Sequence, residues 1–184
     1  MNHKLEKHNL KAAIVTAMDG DEKVANHVMG QYYVGDVLIK ASNMEGMLDF
    51  IITGYYIGAG KKREEFQQDL LSSDTLKISL YDKIRIVSNI AKKLGCPKIE
   101  GIDKYVELRN IFAHSDVLPT KEGDSYLVGR LAPKGNTVCQ LHKDFMTRHA
   151  QLWNSTLLPI ATNIWKIRRK TPSGWEIVPP YKKV

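Results

Sequence analysis

Apolar residues recur at Val34, Val37, Leu38, Ala41, Met44, Leu48, Ile51, Ile52 and Tyr55. This three-and-four spacing is sustained for about six turns and predicts a long amphipathic helix over residues 34–56. Gly54 and Gly58-Ala-Gly60 loosen its end, and Lys61-Lys-Arg-Glu-Glu opens a short helix carrying Phe66, Leu70 and Leu71. A third helix, capped by Asp74 or Thr75, is expected through Tyr81, Ile84, Val87, Ala91 and Leu94, with its stop at Gly95-Cys-Pro97. A fourth runs from about Ile99 or Asp103 through Tyr105, Leu108, Phe112 and His114, ending near Ser115.

The period then changes. Residues 125–131 and 137–141 alternate like strands around Ala132-Pro-Lys-Gly-Asn136, which predicts a β-hairpin within 116–141. A fifth helix is expected from about His142 to Arg169, carrying Phe145, Leu152, Trp153, Ile160 and Trp165, with a kink at Pro159. The pattern as a whole predicts an all-α fold, an up-and-down bundle of four or five core helices with a small hairpin inserted before the last long helix. Residues 1–32 read as an extension in which 10–18 and 24–29 could each be helical, split by Asp19-Gly-Asp21. Residues 33–169 form the domain, and 170–184, rich in Pro and Gly, read as an extended tail with Trp175 as its exposed aromatic.

The length of 184 residues fits one domain with extensions, and 43% apolar with 26% charged residues is the balance of a globular protein. No run approaches the roughly 18 apolar residues of a membrane span, and the N-terminus shows no secretory pattern, so a cytoplasmic protein without a membrane partner is expected. The net charge of +7 is uneven. Residues 1–132 are balanced, whereas 133–184 hold nine Lys and Arg against Asp144 and Glu176. The cluster Lys166-Ile-Arg168-Arg169-Lys170 is a candidate phosphate-binding segment, or equally a solvated helix end, since cations favour helix C-termini.

Cys96 and Cys139 stand apart with no ligand spacing around them, so neither a metal nor a cofactor is expected. Cys139 precedes His142 by three residues, but its strand-like run suggests a buried small thiol rather than a nucleophile. His142 and His149, seven apart, are expected in surface or packing roles, and Tyr81 and Tyr105 as core aromatics.

Candidate chemistry concentrates in Glu107-Leu-Arg109-Asn110-Ile-Phe-Ala-His114. An imidazole can take a proton from a ribose 2′-hydroxyl, or give one to a leaving 5′-oxygen, near neutral pH, while a guanidinium binds the phosphate under attack. That chemistry needs no metal. On a straight helix Asn110 and His114 share a face, but Arg109 and His114 lie about 140° apart. They converge on one phosphate only if the helix ends near His114, or if a two-fold partner supplies a second copy. The bland alternative pairs Arg109 with Glu107, Asp103 or Glu45 and leaves His114 as a helix terminus. Glu45, among Met44, Met47 and Leu48, needs a partner, and Arg109 is a candidate. Glu45 and Glu107 are thus possible supporting residues.

This segment resembles the R-x4-6-H signature of the HEPN superfamily, with the polar residue after the arginine that the family often shows. The order of helices upstream, with Asn43-Met-Glu45-Gly-Met-Leu48 on a long first helix and Lys83 to Ile90 on a later one, is similar too, over roughly residues 33–165. The resemblance implies a metal-independent endoribonuclease of the toxin or phage-defence type, acting on RNA as a homodimer, with an antitoxin or regulatory protein as a further partner. It implies His114 as general acid or base, Arg109 as stabiliser of the phosphorane, and Asn110 as an orienting group. Asp116 stands where the R-x4-H-x-Y variant, partnered by nucleotidyltransferase-like antitoxins, has tyrosine. The superfamily also contains catalytically silent modules that bind RNA, nucleotides or proteins. A transcriptional regulator, suggested by the basic C-terminal segment, lacks a helix-turn-helix pattern.

Overall fold

The computed structural model describes residues 12–16, 20–57, 65, 78–96, 98–119, 124–166, 168–171 and 174–177. The chain is mostly helical, of the all-α class, with a small antiparallel hairpin before the last long helix. Five helices are named in chain order: α1 (Glu22–Tyr56), α2 (Leu80–Lys93), α3 (Ile102–Ala113), α4 (Val138–Leu152) and α5 (Leu158–Lys166). The strands are β1 (Asp116–Pro119), β2 (Ser125–Val128), β3 (Arg168–Thr171) and β4 (Gly174–Ile177). Among the described residues, no helix is long and apolar enough to cross a membrane.

Helix α1 is longer than its sequence pattern suggests. Asp21 caps it by accepting from the amides of Lys23 and Val24 at 2.9 and 3.1 Å, so the segment 24–29 joins the helix instead of standing apart. The expected boundary between residues 32 and 33 therefore falls inside a continuous helix. Its buried stripe runs Ala25, Met29, Tyr33, Val37, Ala41, Met44, Leu48, Ile51 and Ile52. The short helix expected over 61–71, and the caps Asp74 and Thr75, lie outside the described residues. Helix α2 is capped by Ser79, which accepts from the Asp82 amide at 3.1 Å and donates to its carboxylate at 2.6 Å. It ends as the sequence predicts. Gly95 has φ +64°, its amide donates to the Lys92 carbonyl and that of Cys96 to Ala91, which satisfies the last carbonyls of the helix.

The hairpin lies within the expected segment but pairs different strands. β1 is antiparallel to β2 in the register Asp116↔Val128, Val117↔Leu127, Leu118↔Tyr126 and Pro119↔Ser125. Residues 138–141, expected as a strand, are the first turn of α4. The reason is a reciprocal cap: Gln140 donates its amide to Thr137 Oγ1 at 3.3 Å and accepts the Thr137 amide on Oε1 at 3.1 Å. Cys139 is consequently exposed on a helix and is not the buried strand thiol expected.

The expected kink at Pro159 is a π-helical turn, Trp153–Leu157, in which the Leu158 amide reaches back five residues to the Trp153 carbonyl. The widened turn gives room where the proline ring would collide with the preceding turn. The last helix ends at Lys166 rather than Arg169, and the expected extended tail includes a second hairpin, with Arg168↔Ile177 and Thr171↔Gly174 in register.

The chain divides into two compact units. Unit 1 comprises Met1–Ala41 and Asp103–Arg148; unit 2 comprises Ser42–Ile102 and His149–Val184. In unit 1, Tyr105 stacks on Phe145 at 4.8 Å and Phe112 meets the same ring edge-on at 6.5 Å. The inner face of the β1–β2 hairpin, with Val117, Ser125 and Leu127 buried, packs on α1 at Gly30, where a Cβ would lie 2.5 Å from Val117 Cγ1. In unit 2, Lys83 is 1% exposed and its Nζ lies 2.8 Å from Glu45 and 2.9 Å from Asp49.

Candidate functional site

The motif residues belong to unit 1 and sit at the C-terminal half of α3. Leu108, Ile111 and Phe112 bury one face of this helix, which turns Arg109 and Asn110 to half-buried positions and leaves Glu107 exposed. The Arg109 guanidinium donates from Nη1 to Asn110 Oδ1 at 3.0 Å. The carboxamide therefore orients the arginine and keeps its own Nδ2–H2 for another acceptor. Arg109 also lies near enough to the Tyr105 phenol to favour its ionised form, although burial dominates and holds that phenol well above its ordinary value. Tyr105 is 1% exposed and serves the core, whereas Tyr81, expected there too, is 63% exposed.

Helix α3 ends at Ala113, and His114 is the exposed residue after it, its amide donating to the Asn110 carbonyl at 3.1 Å. The helix thus stops where convergence of Arg109 and His114 requires it to stop. Gly129, just past β2, lies against this end: a Cβ there would come within 2.8 Å of the His114 carbonyl oxygen and 2.9 Å of Ser115 Oγ. The hairpin thereby fixes the backbone that carries the imidazole. Its outer face bears Asp116, Leu118, Tyr126 and Val128, with Leu118 51% and Val128 48% exposed.

The supporting carboxylates are placed otherwise than expected. Glu107 pairs with Lys104 at 2.7 Å on the surface, not with Arg109. Glu45 has Lys83 as its partner, in place of the expected Arg109, and Asp49 completes that group. Burial alone would lower the Lys83 pKa, but the hydrogen bonds and charges of Glu45 and Asp49 outweigh it and raise the value. For Asp49, burial raises the pKa, Lys83 opposes, and Glu45 adds to the rise. Of the candidate phosphate-binding residues, Lys166 closes α5 and Arg168, Arg169 and Lys170 lie on β3, in unit 2.

No protein-family model matches this chain, and no curated protein or solved structure matches it.

Sequence reasoning missed a second polar group in unit 1. His142, 3% exposed at its side chain, lies 2.8 Å from the Asp36 carboxylate through Nε2, and the Tyr33 ring packs on it at 4.5 Å. The signal was present: Tyr33, Val37 and Ala41 mark the buried stripe, and Asp36 adjoins it. Cys139 stands beside Tyr33, whose phenol is pushed far above its ordinary value by burial first, then by Cys139, Tyr32 and Asp124. His149 stacks on Trp153 at 5.8 Å, a packing role.

Proposed function

We propose that this protein is a metal-independent endoribonuclease of the toxin or phage-defence type, working as a homodimer with His114 and Arg109 at a shared site. The observation that carries the reading is the ending of α3 between Ala113 and His114. It leaves an exposed imidazole within one and a half turns of a guanidinium that Asn110 already orients.

In the reaction, a base removes the proton of a ribose 2′-hydroxyl, the 2′-oxygen bonds to the adjacent phosphorus, and the bond from phosphorus to the 5′-oxygen breaks as an acid protonates that oxygen. The products are a 2′,3′-cyclic phosphate and a 5′-hydroxyl. One imidazole cannot be base and acid at once, so two copies of His114 across a two-fold axis supply both roles. Arg109 neutralises the charge that develops on the equatorial oxygens, and Asn110 Nδ2 donates to one of them. The exposed Leu118 and Val128 on the outer face of the hairpin support a second copy seated there, because apolar residues on one outer face favour burial. The basic residues Lys166, Arg168, Arg169 and Lys170 would serve RNA backbone attraction, and an antitoxin or regulatory protein would be a further partner.

A catalytically silent module of the same resemblance, binding RNA, a nucleotide or a protein, is the second reading. It is favoured by the engagement of Arg109 with its own Asn110 and by the surface pairing of Glu107 with Lys104. The two separate on product chemistry. Purified protein incubated with single-stranded RNA in EDTA should release fragments ending in 2′,3′-cyclic phosphate, whereas intact RNA that is merely retained on the protein supports the silent module.

A further inference from the structure

Helix α2, in unit 2, has two unlike faces. Ile84, Val87, Ile90 and Ala91 are buried, and so is Lys83, whose charge Glu45 and Asp49 take up. The solvent face carries Tyr81, Arg85, Asn89, Lys92 and Lys93, all exposed. Steps of three and four residues set these side chains one after another along a single side of the helix. Tyr81 is 63% exposed and the Arg85 side chain 73%.

Helix stability accounts for only part of this row. Lys92 and Lys93 stand in the last turn, where cations offset the helix dipole. Arg85 lies in the second turn, beyond that effect, and its 3.7 Å contact with Asp82 joins two exposed groups, which is a weak tie. Asp82 is the one acidic residue of α2, and its carboxylate accepts the Ser79 hydroxyl at 2.6 Å as part of the N-terminal cap. Three cations thus share the outer face with a single, engaged carboxylate. The even charge count of residues 1–132 conceals this row, because balance along a sequence is not balance on a face.

A row of cations ending in an open aromatic ring fits a polyanion that also carries flat rings. An anionic membrane would take the apolar face of a helix, but the apolar face of α2 is in the core and the outer row holds one aromatic. An acidic protein segment would meet the cations and leave the ring face of Tyr81 unmatched.

We propose that the outer face of α2 binds single-stranded RNA, with phosphates along Arg85, Lys92 and Lys93 and a base stacked on Tyr81. The choice of RNA over single-stranded DNA rests on the ribonuclease reading above. From Tyr81 to Lys93 the row runs about 18 Å, or about five nucleotides at ~3.4 Å each. Stacking and phosphate contacts accept any base, so this surface holds the strand without selecting its sequence.

The test is fluorescence anisotropy of the full chain with a labelled 2′-O-methyl oligouridine, which cannot be cut because its 2′-hydroxyls are blocked. Tyr81→Ala should weaken binding about tenfold, the size of a lost stacking contact, while Tyr81→Phe, which keeps the ring, should stay within about twofold of wild type. Replacing Arg85, Lys92 and Lys93 together by Gln should lower the slope of log affinity against log salt by about two, near 0.7 for each lost phosphate contact. Circular dichroism should show all variants folded, since every altered side chain is exposed. Wild-type affinity in Tyr81→Ala, an unchanged salt slope in the triple variant, or no binding by wild type would overturn the proposal. So would equal or tighter binding of a poly-glutamate peptide or of phosphatidylserine vesicles. Cleavage of unmodified RNA is read separately: cutting with none of these binding effects removes only the α2 surface, and the binding effects without cutting remove only the nuclease.

Discussion

Gly129 approaches the His114 carbonyl so closely that no side chain fits between them, a Cβ meeting that oxygen at 2.8 Å and Ser115 Cα at 3.1 Å. The obstructing atoms include backbone, which cannot swing aside as a long side chain would. Gly129→Ala should therefore shift the end of α3 and destabilise the chain by about 1–3 kcal/mol. Urea unfolding measures the loss, and RNA cleavage should fall with it because the imidazole moves with its backbone.

Among the described residues of unit 2, Lys83 is the most fully buried charge, and its removal leaves Glu45 and Asp49 facing each other. Lys83→Met should cost about 3 kcal/mol, the low end for a broken buried pair, since Glu45 retains 27% and Asp49 16% exposure.

The same group gives a pH dependence. The folded pKa of Lys83 is raised above its ordinary 10.5, so its contribution is complete below that pH and is lost as pH climbs through the higher folded value. Asp49 has the opposite sign. Its folded pKa is raised from 3.8, so protonation favours the folded state, and stability from this group declines as pH rises through that window. Thermal melts of the wild type and of Lys83→Met should converge as pH climbs past the raised folded value of Lys83 and stand furthest apart near neutrality.

Phe145 holds Tyr105 and Phe112 together in the core of unit 1 and is fully buried. Phe145→Ala should cost about 3–5 kcal/mol in denaturant unfolding, whereas Tyr81→Ala, at an exposed site, should change stability by less than about 0.5 kcal/mol.

Much of this fold is legible in the sequence because its signals are local. The stripe from Val37 to Ile52 gives α1, and Gly95 with Cys96 gives the end of α2 through two hydrogen bonds within six residues. The hairpin was legible in place but not in register. The alternation of residues 137–141 competes with a Thr137–Gln140 cap, and the cap prevails because it satisfies two amides that a short strand would leave to a distant partner. At the candidate site, the pattern placed the helix end near Ser115, two residues beyond Ala113, and the Arg109–Asn110 bond needed only adjacency. The partners of Glu45 and Asp36 did not follow, since Lys83 is 38 residues from the first and His142 is 106 from the second. Nothing short-range distinguishes those partners from other residues of the same kind.

The exposed Leu118 and Val128 bear on assembly. Wild type should sediment as a dimer, and the pair Leu118→Glu with Val128→Lys should sediment as a folded monomer of unchanged helicity that has lost RNA cleavage. A wild type that stays monomeric at all concentrations contradicts the shared site.

The most direct test of the central claim is the cleavage rate of single-stranded RNA in EDTA by His114→Ala beside wild type, with circular dichroism confirming the fold of both. The account predicts cyclic-phosphate products from wild type and a loss of at least about 100-fold in the variant, the size of a general acid–base contribution. Equal rates in the two proteins would contradict it.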